Sequence, residues 1–315
     1  MTSLLSVVMP THDRATQLER AARSVLDQDG AELELVIVDD ASSDDTPAVT
    51  DRLSADPRVR VVRNDRAVGP GAARNRGIAA ARGELLGFCD DDDAWLPGAA
   101  ATLVGYLDAH RHLGSVTSWH QVVHDGSGRS VVYRGPLEFG AADLLWFNVV
   151  ALPFGVLRRS HFADDLSFDE ALPPCEDWDL WLRCAQLRPI AAVPQVLYEY
   201  HQHGGDRVTK EGSGDRGGRQ AFIDKHRSAM TPACRAYHRA ALAHQTEGRG
   251  AMLRQLSAEA RADPVTAGFA AGILATADAG ARTGIRHGDP GRASRAMLRL
   301  LAHEPGRASG CGGDR

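Results

Sequence analysis

The residues best equipped for chemistry form one run, Asp90-Asp91-Asp92-Asp93, between the apolar Leu85-Leu86-Gly87-Phe88 and the turn Ala94-Trp95-Leu96-Pro97. Four like charges at the end of a buried strand repel one another, and each is costly to desolvate. A divalent cation carrying phosphate oxygens is the economical counter-charge. The bland alternative is a solvated acidic turn, as most short acidic runs are. Two more acidic pairs occupy similar boundaries. Asp39-Asp40 closes an apolar stretch, and Glu176-Asp177 opens an amphipathic one.

The elements that must position these groups are legible as an alternation. Residues 4–9, Leu33 to Val38, Val59 to Val62 and Leu85 to Phe88 read as apolar strands. Helical spacing of Leu18, Ala21, Ala22, Val25 and Leu26 fills the first gap, Thr46-Pro47 to Leu53 the second, and Ala72 to Ala81 the third. Continuous apolar strands alternating with helices imply a mainly parallel sheet covered on both faces. Ligands of such sheets bind beyond the carboxyl ends of the strands, where Pro10-Thr11, Asp39-Asp40 and the Asp90–Asp93 run all fall. A dinucleotide-binding reading fails, because it needs glycines after the first strand and the chain supplies Pro10-Thr11-His12-Asp13-Arg14.

The composition, 43% hydrophobic and 24% charged over 315 residues, suits a soluble globular chain with room for an appendage. No apolar run approaches a membrane span, and the start leads straight into a strand, so neither a transmembrane segment nor a signal peptide is expected. Five cysteines without metal-ligand spacing fit a reducing cytoplasm. The net charge of −5 divides into −13 over residues 1–215 and +8 over residues 216–315. That basic tail could meet a membrane surface, an acidic acceptor or the front of the chain, whereas the lack of aromatic interleaving speaks against nucleic acid.

Five segments then resemble family 2 glycosyltransferases, in the family's order: Val7-Val8-Met9-Pro10-Thr11-His12-Asp13-Arg14; Val36-Ile37-Val38-Asp39-Asp40-Ala41-Ser42-Ser43-Asp44-Asp45-Thr46; Gly69-Pro70-Gly71-Ala72-Ala73-Arg74-Asn75-Arg76-Gly77; Asp90 to Pro97; and Phe168-Asp169-Glu170 with Glu176-Asp177-Trp178-Asp179-Leu180-Trp181-Leu182-Arg183. The resemblance covers residues 4 to about 210. It implies a GT-A fold, a Rossmann-like, mainly parallel sheet with helices on both faces, extended here by a C-terminal helical appendage. It also implies an inverting enzyme taking a nucleoside-diphosphate sugar and a hydroxyl acceptor, with Mn²⁺ or Mg²⁺ as cofactor.

Residue by residue, the resemblance puts Asp40 and Thr11 at the nucleobase. A carboxylate can accept the imide N–H of uracil or thymine, which favours UDP or TDP. Arg74 falls near the phosphates or a neighbouring carboxylate. Asp92 falls on the metal, with Asp90 or Asp91 near the ribose or metal, and Asp93 is the member best suited to capping the following turn. Asp177 becomes the general base, at a helix N-terminus that favours its ionised form. Pro10, Arg14, Glu176 and Trp178 join the substrate contacts. The Val196 to His203 segment is similar to the family's Tyr-Arg-x-His, except that His201 replaces the Arg; His203 keeps its place, within reach of phosphates or metal.

The expected organisation is a transferase domain over residues 1–218, with a nucleotide half to about 97, an acceptor half to about 203 and a glycine-rich lid over 204–218. Residues 115–135 read as a hairpin in the acceptor half. Helices over 219–305 would serve acceptor binding, self-association or packing on the front domain, and 306–315 reads as a disordered tail. Rival functions are a sugar-1-phosphate nucleotidyltransferase, which would want a basic, glycine-rich phosphate loop after the first strand, and a non-catalytic nucleotide-sugar binder, against which Asp92 and Asp177 argue. A cell-surface glycan or a secondary metabolite would be the acceptor.

Overall fold

The computed structural model describes residues 3–124, 129–134, 136–146, 148, 155–162, 166–172, 174–202, 214–263, 268 and 271. The first half alternates as the apolar pattern requires: β1 (Leu5–Thr11), α1 (Ala15–Leu26), β2 (Leu33–Asp39), α2 (Thr46–Leu53), β3 (Val59–Arg63), α3 (Pro70–Ala80) and β4 (Leu85–Phe88). A short β5 (Ala94–Trp95) and α4 (Ala99–Ala109) follow. Next come β6 (Ser115–His124), β7 (Arg129–Tyr133), β8 (Glu138–Phe139), α5 (Ala141–Leu144) and β9 (Gly155–Arg158). The remainder comprises α6 (Glu176–Leu187), β10 (Ile190–Gln202), α7 (Gly214–His226), α8 (Pro232–Glu247) and α9 (Arg249–Ala262).

The strands form one sheet in the order β3-β2-β1-β4-β9-β6-β10-β5, with β7 added to β6 and β8 to β10. Strands β1 to β4 are mutually parallel, and β9 runs antiparallel to both β4 and β6. Since β10 is parallel to β6, the carboxyl ends of β1, β2, β4, β6 and β10 share one edge. The expected hairpin is present, pairing His120 with Tyr133 and His124 with Arg129.

Alternation along β1 explains the two cores. Leu5, Val7 and Met9 pack with α1, α2 and α4 on one face. Val8, with Val36, Val38 and Phe88, packs against α3, α6, α7 and α8 on the other. The result is a mixed, mostly parallel, GT-A-like Rossmannoid sheet flanked by helices, with a C-terminal helical extension. Among the described residues no helix is long and apolar enough to cross a membrane.

One expectation divides. Of the stretch 204–218 read as a lid, 204–213 lies outside the described residues, whereas Gly214 already begins α7. Packing of Phe222 and Ile223 into the core overrides the poor helix propensity of Gly217 and Gly218. The tail over 306–315 and His203 also lie outside the described residues.

Candidate active site

Three loops at the shared edge are tied together by short polar side chains. After β1, Asp13 takes a left-handed conformation, φ 50°, and its carboxylate accepts from Ser43 N at 2.6 Å and Asp44 N at 3.2 Å. In return Ser42 Oγ accepts from Asp13 N at 3.0 Å, and Thr46 Oγ1 accepts from Arg14 N at 3.0 Å. These bonds hold the residues after β1 against those after β2.

Asp40 belongs to this corner, in an arrangement the sequence did not disclose. Its carboxylate accepts from Asn64 Nδ2 at 2.6 Å, from Val68 N at 2.9 and 3.1 Å, and from Gly69 N at 2.8 Å. Asp40 therefore anchors the turn where Gly69, at φ 90°, admits the chain into α3. A nucleobase N–H would have to share oxygens already engaged by the protein. Asp39, its neighbour, accepts from Ser42 N at 3.0 Å and shapes the adjoining turn.

The acidic run follows β4, and its members point in different directions. Asp90 accepts from Arg74 Nη2 at 2.7 Å, and Asp92 from Arg14 Nη1 at 3.2 Å. Asp91 is buried, and burial foremost raises its pKa to about 7; the Thr11 hydroxyl pulls the other way, while Asp92 and Asp90 add to the rise. Asp93 is also raised well above the usual range, first by burial and then by Asp90 and Asp92. Burial and crowding thus favour holding protons on Asp91 and Asp93, while Asp90 and Asp92 each keep an arginine partner.

Asp93 corrects the expectation of a simple turn cap. Its oxygens receive the Tyr198 hydroxyl at 3.1 Å and His201 N at 2.9 Å, so it ties the acidic turn to the end of β10. Sequence reasoning also missed Arg20 on α1. Arg20 donates to the Asp92 carbonyl and lies 3.2 Å from His201 Nδ1, putting a guanidinium beside the histidine that stands at the family's arginine position. No local signal could reveal a pairing across 181 residues of chain.

Arg74 closes the site. Buried on α3, it donates to Asp90 and, through Nη1, to Glu176 Oε1 at 3.1 Å, with its guanidinium 5.5 Å from the Phe168 ring centre. Burial opposes its charge, but Asp90 and Glu176 more than compensate and hold the guanidinium charged. Asp177, in the first turn of α6, accepts from Asn148 Nδ2 at 3.1 Å.

The structure therefore gathers Thr11, Arg14, Arg74, Asp90, Asp91, Asp92 and Glu176 at one edge, with Asp177 beside Glu176 and Pro10 in β1 next to Thr11. Trp178, a candidate substrate contact on sequence, lies elsewhere. It is buried, donates Nε1–H to Leu144 O at 2.5 Å, and stacks on Phe222 at 4.1 Å between ring centres. One residue further along α6 has turned it from the site into the core.

Among the described residues no three His, Cys, Asp or Glu side chains are arranged to hold a metal ion by themselves. Asp90 and Asp92 nevertheless offer hard oxygen ligands at the shared edge, each paired to one arginine. Such a donor set fits Mg²⁺ or Mn²⁺, which commonly take one or two carboxylates and complete their shell with phosphate oxygens and water.

The family model for glycosyl transferase family 2 matches residues 6–159. The succinoglycan biosynthesis protein ExoO of Rhizobium meliloti is 32% identical over 265 residues, covering 78% of this chain and 72% of that protein. The chain belongs to glycosyl transferase family 2 and is a sugar-transferring enzyme. Among solved structures, S. aureus TarS with UDP-GlcNAc superposes with a TM-score of 0.63 at 19% identity, covering 84% of this chain and 82% of that one. The mannosyltransferase PcManGT of Pyrobaculum calidifontis, with GDP-Man and Mn²⁺, gives 0.55 at 20% identity, covering 96% and 86%. At these identities the two structures support the fold.

Proposed function

We propose that the chain transfers a sugar from UDP or TDP to an acceptor hydroxyl, by single displacement with inversion at C1, in the assembly of a cell-surface glycan. The observation that carries this reading is Arg74. Its paired bonds to Asp90 and Glu176 join the donor-side acidic run to the first turn of α6, so donor phosphates and acceptor hydroxyl would meet between them. The match to a succinoglycan biosynthesis protein favours a glycan acceptor over a secondary metabolite.

In this reading Asp177 takes the proton from the acceptor oxygen as that oxygen bonds to C1. The C1–O bond to phosphate breaks and its electron pair departs with the nucleoside diphosphate. Asp92 and Asp90 would hold Mn²⁺ or Mg²⁺, which supplies charge neutralisation for the leaving diphosphate. Arg14 and Arg74 orient these carboxylates, and Thr11 with the Asp40 turn lies against the nucleobase. We place the reaction in the cytoplasm, where activated sugars are available.

The test is Asp177→Asn, assayed against a panel of UDP- and TDP-sugars. Transfer should fall by about 10²–10⁴-fold while diphosphate affinity stays near that of the wild type. Turnover at the wild-type rate would move the base to another residue.

A further inference from the structure

The first turn of α6 presents its residues in two directions. Glu176 reaches Arg74 and Asp177 meets Asn148, whereas Pro174, Trp178 and Asp179 face α7. On α7 the partners are Gly218, Phe222, Lys225 and His226, whose spacing puts them on one helical face. Each makes a different kind of contact. A Cβ on Gly218 would lie 2.1 Å from Pro174 O and 2.8 Å from Pro174 C, so backbone is laid directly against backbone. Phe222 stacks on Trp178 with rings inclined by 19°. Lys225 Nζ and His226 Nε2 each lie 2.8 Å from Asp179 Oδ1, and Arg183 Nε reaches the other oxygen at 2.8 Å.

Between Pro174 and Trp178 lies Cys175, which enters the helix at φ 84°. A residue with a side chain seldom adopts that conformation and keeps it only where its surroundings impose it. Cys175 packs against the core cluster that holds Trp178 and Phe222, and α6 and α7 both lie outside residues 6–159 that match the family model.

We propose that α7 is a splint for the catalytic turn, with Gly218, Lys225 and Asp179 acting as positioning residues for Asp177. This rests on the assignment of Asp177 as the base. It gives the start of the C-terminal helical region a role in catalysis.

Two neighbouring glycines make the test. Gly217 is exposed, and a Cβ there meets nothing within 4 Å, so Gly217→Ala shares the helix-propensity gain of Gly218→Ala without the collision. In the full chain, Gly217→Ala should keep wild-type turnover. Gly218→Ala should lower kcat on the order of 10²-fold, with UDP affinity in Mn²⁺ unchanged, because a shift of about 1 Å in a catalytic group costs that much. Amide hydrogen exchange over residues 175–179 should quicken in Gly218→Ala and stay at the wild-type rate in Gly217→Ala. Should Gly218→Ala not fold, Lys225→Met and Lys225→Arg replace it: Met should lower kcat and Arg should restore it. Equal kcat and equal exchange in the two alanine variants, or equal turnover in Met and Arg, would overturn the splint. A wild-type protein that ignores both UDP and TDP would instead sink the donor assignment, and the exchange measurement would still decide the splint.

Discussion

Buried aspartates form two groups in this molecule that are neutralised to very different degrees. Asp179 is wholly buried, and burial alone would raise its pKa. Hydrogen bonds from His226, Lys225 and Arg183 overturn that and hold the carboxylate far below its usual range. Asp91 and Asp93, equally deep, are pushed up, because burial is joined by repulsion from Asp90 and Asp92. Their run is compensated chiefly by Arg14, bound to Asp92, and Arg74, bound to both Asp90 and Glu176. The first group is complete and belongs to the framework. The second has fewer cations at hand than Asp179 has, and it is where the proposed metal site is placed.

Removing a member from each group should therefore have opposite consequences. Asp179→Ala strands Lys225, Arg183 and His226 around an empty position, and breaking a buried ionic network typically costs about 3–5 kcal/mol. Denaturant unfolding checks this; a cost below about 1 kcal/mol would mean the network is not the anchor it looks like. Asp91→Asn should stabilise the metal-free protein at pH 8, on the order of 4 kcal/mol.

The pH dependence sharpens the contrast. Asp91 has a raised folded-state pKa, so the native state holds the extra proton between the usual value of 3.8 and about 7. Its contribution is fully present below that window and is lost as pH rises through it. The gain from Asp91→Asn should accordingly grow from pH 4 to pH 8, and a flat difference would contradict the account. Asp179 has a lowered pKa, so its contribution is present above the usual aspartate range and disappears as pH falls through and below it. The wild type should lose stability on acidification faster than Asp179→Asn. A smaller effect is predicted for Tyr198→Phe, which removes one donor from Asp93 and should cost about 1–2 kcal/mol by thermal unfolding.

How much of this was written locally in the chain depends on the length scale of each feature. The parallel strands were visible because buried strands are runs of β-branched and apolar residues, and their acidic ends marked the shared edge. The antiparallel β9 was not, since Gly155–Arg158 is too short for its period to show and its place between β4 and β6 is set by distant partners. Asp40 was recognisable as important, but its bonds to Val68 and Gly69 depend on a turn folding back from β3. Arg20 and His201 meet only because α1 and the end of β10 reach the same acidic loop. The resemblance puts Trp178 among the substrate contacts, but a helix turns by about 100° per residue, enough to bury the neighbour of Asp177. Gly217 and Gly218 read as flexible, yet at Gly218 the lack of a side chain is what lets α7 lie against Pro174, just before α6.

The central claim is that the acidic run binds a nucleoside diphosphate through a divalent cation. The direct measurement is thermal shift of the wild type and Asp92→Asn with UDP and TDP, each with and without Mn²⁺. The account predicts that Mn²⁺ tightens binding of at least one diphosphate about tenfold or more in the wild type, and that this increment vanishes in Asp92→Asn. Diphosphate binding indifferent to Mn²⁺, or an increment that survives in Asp92→Asn, would contradict it.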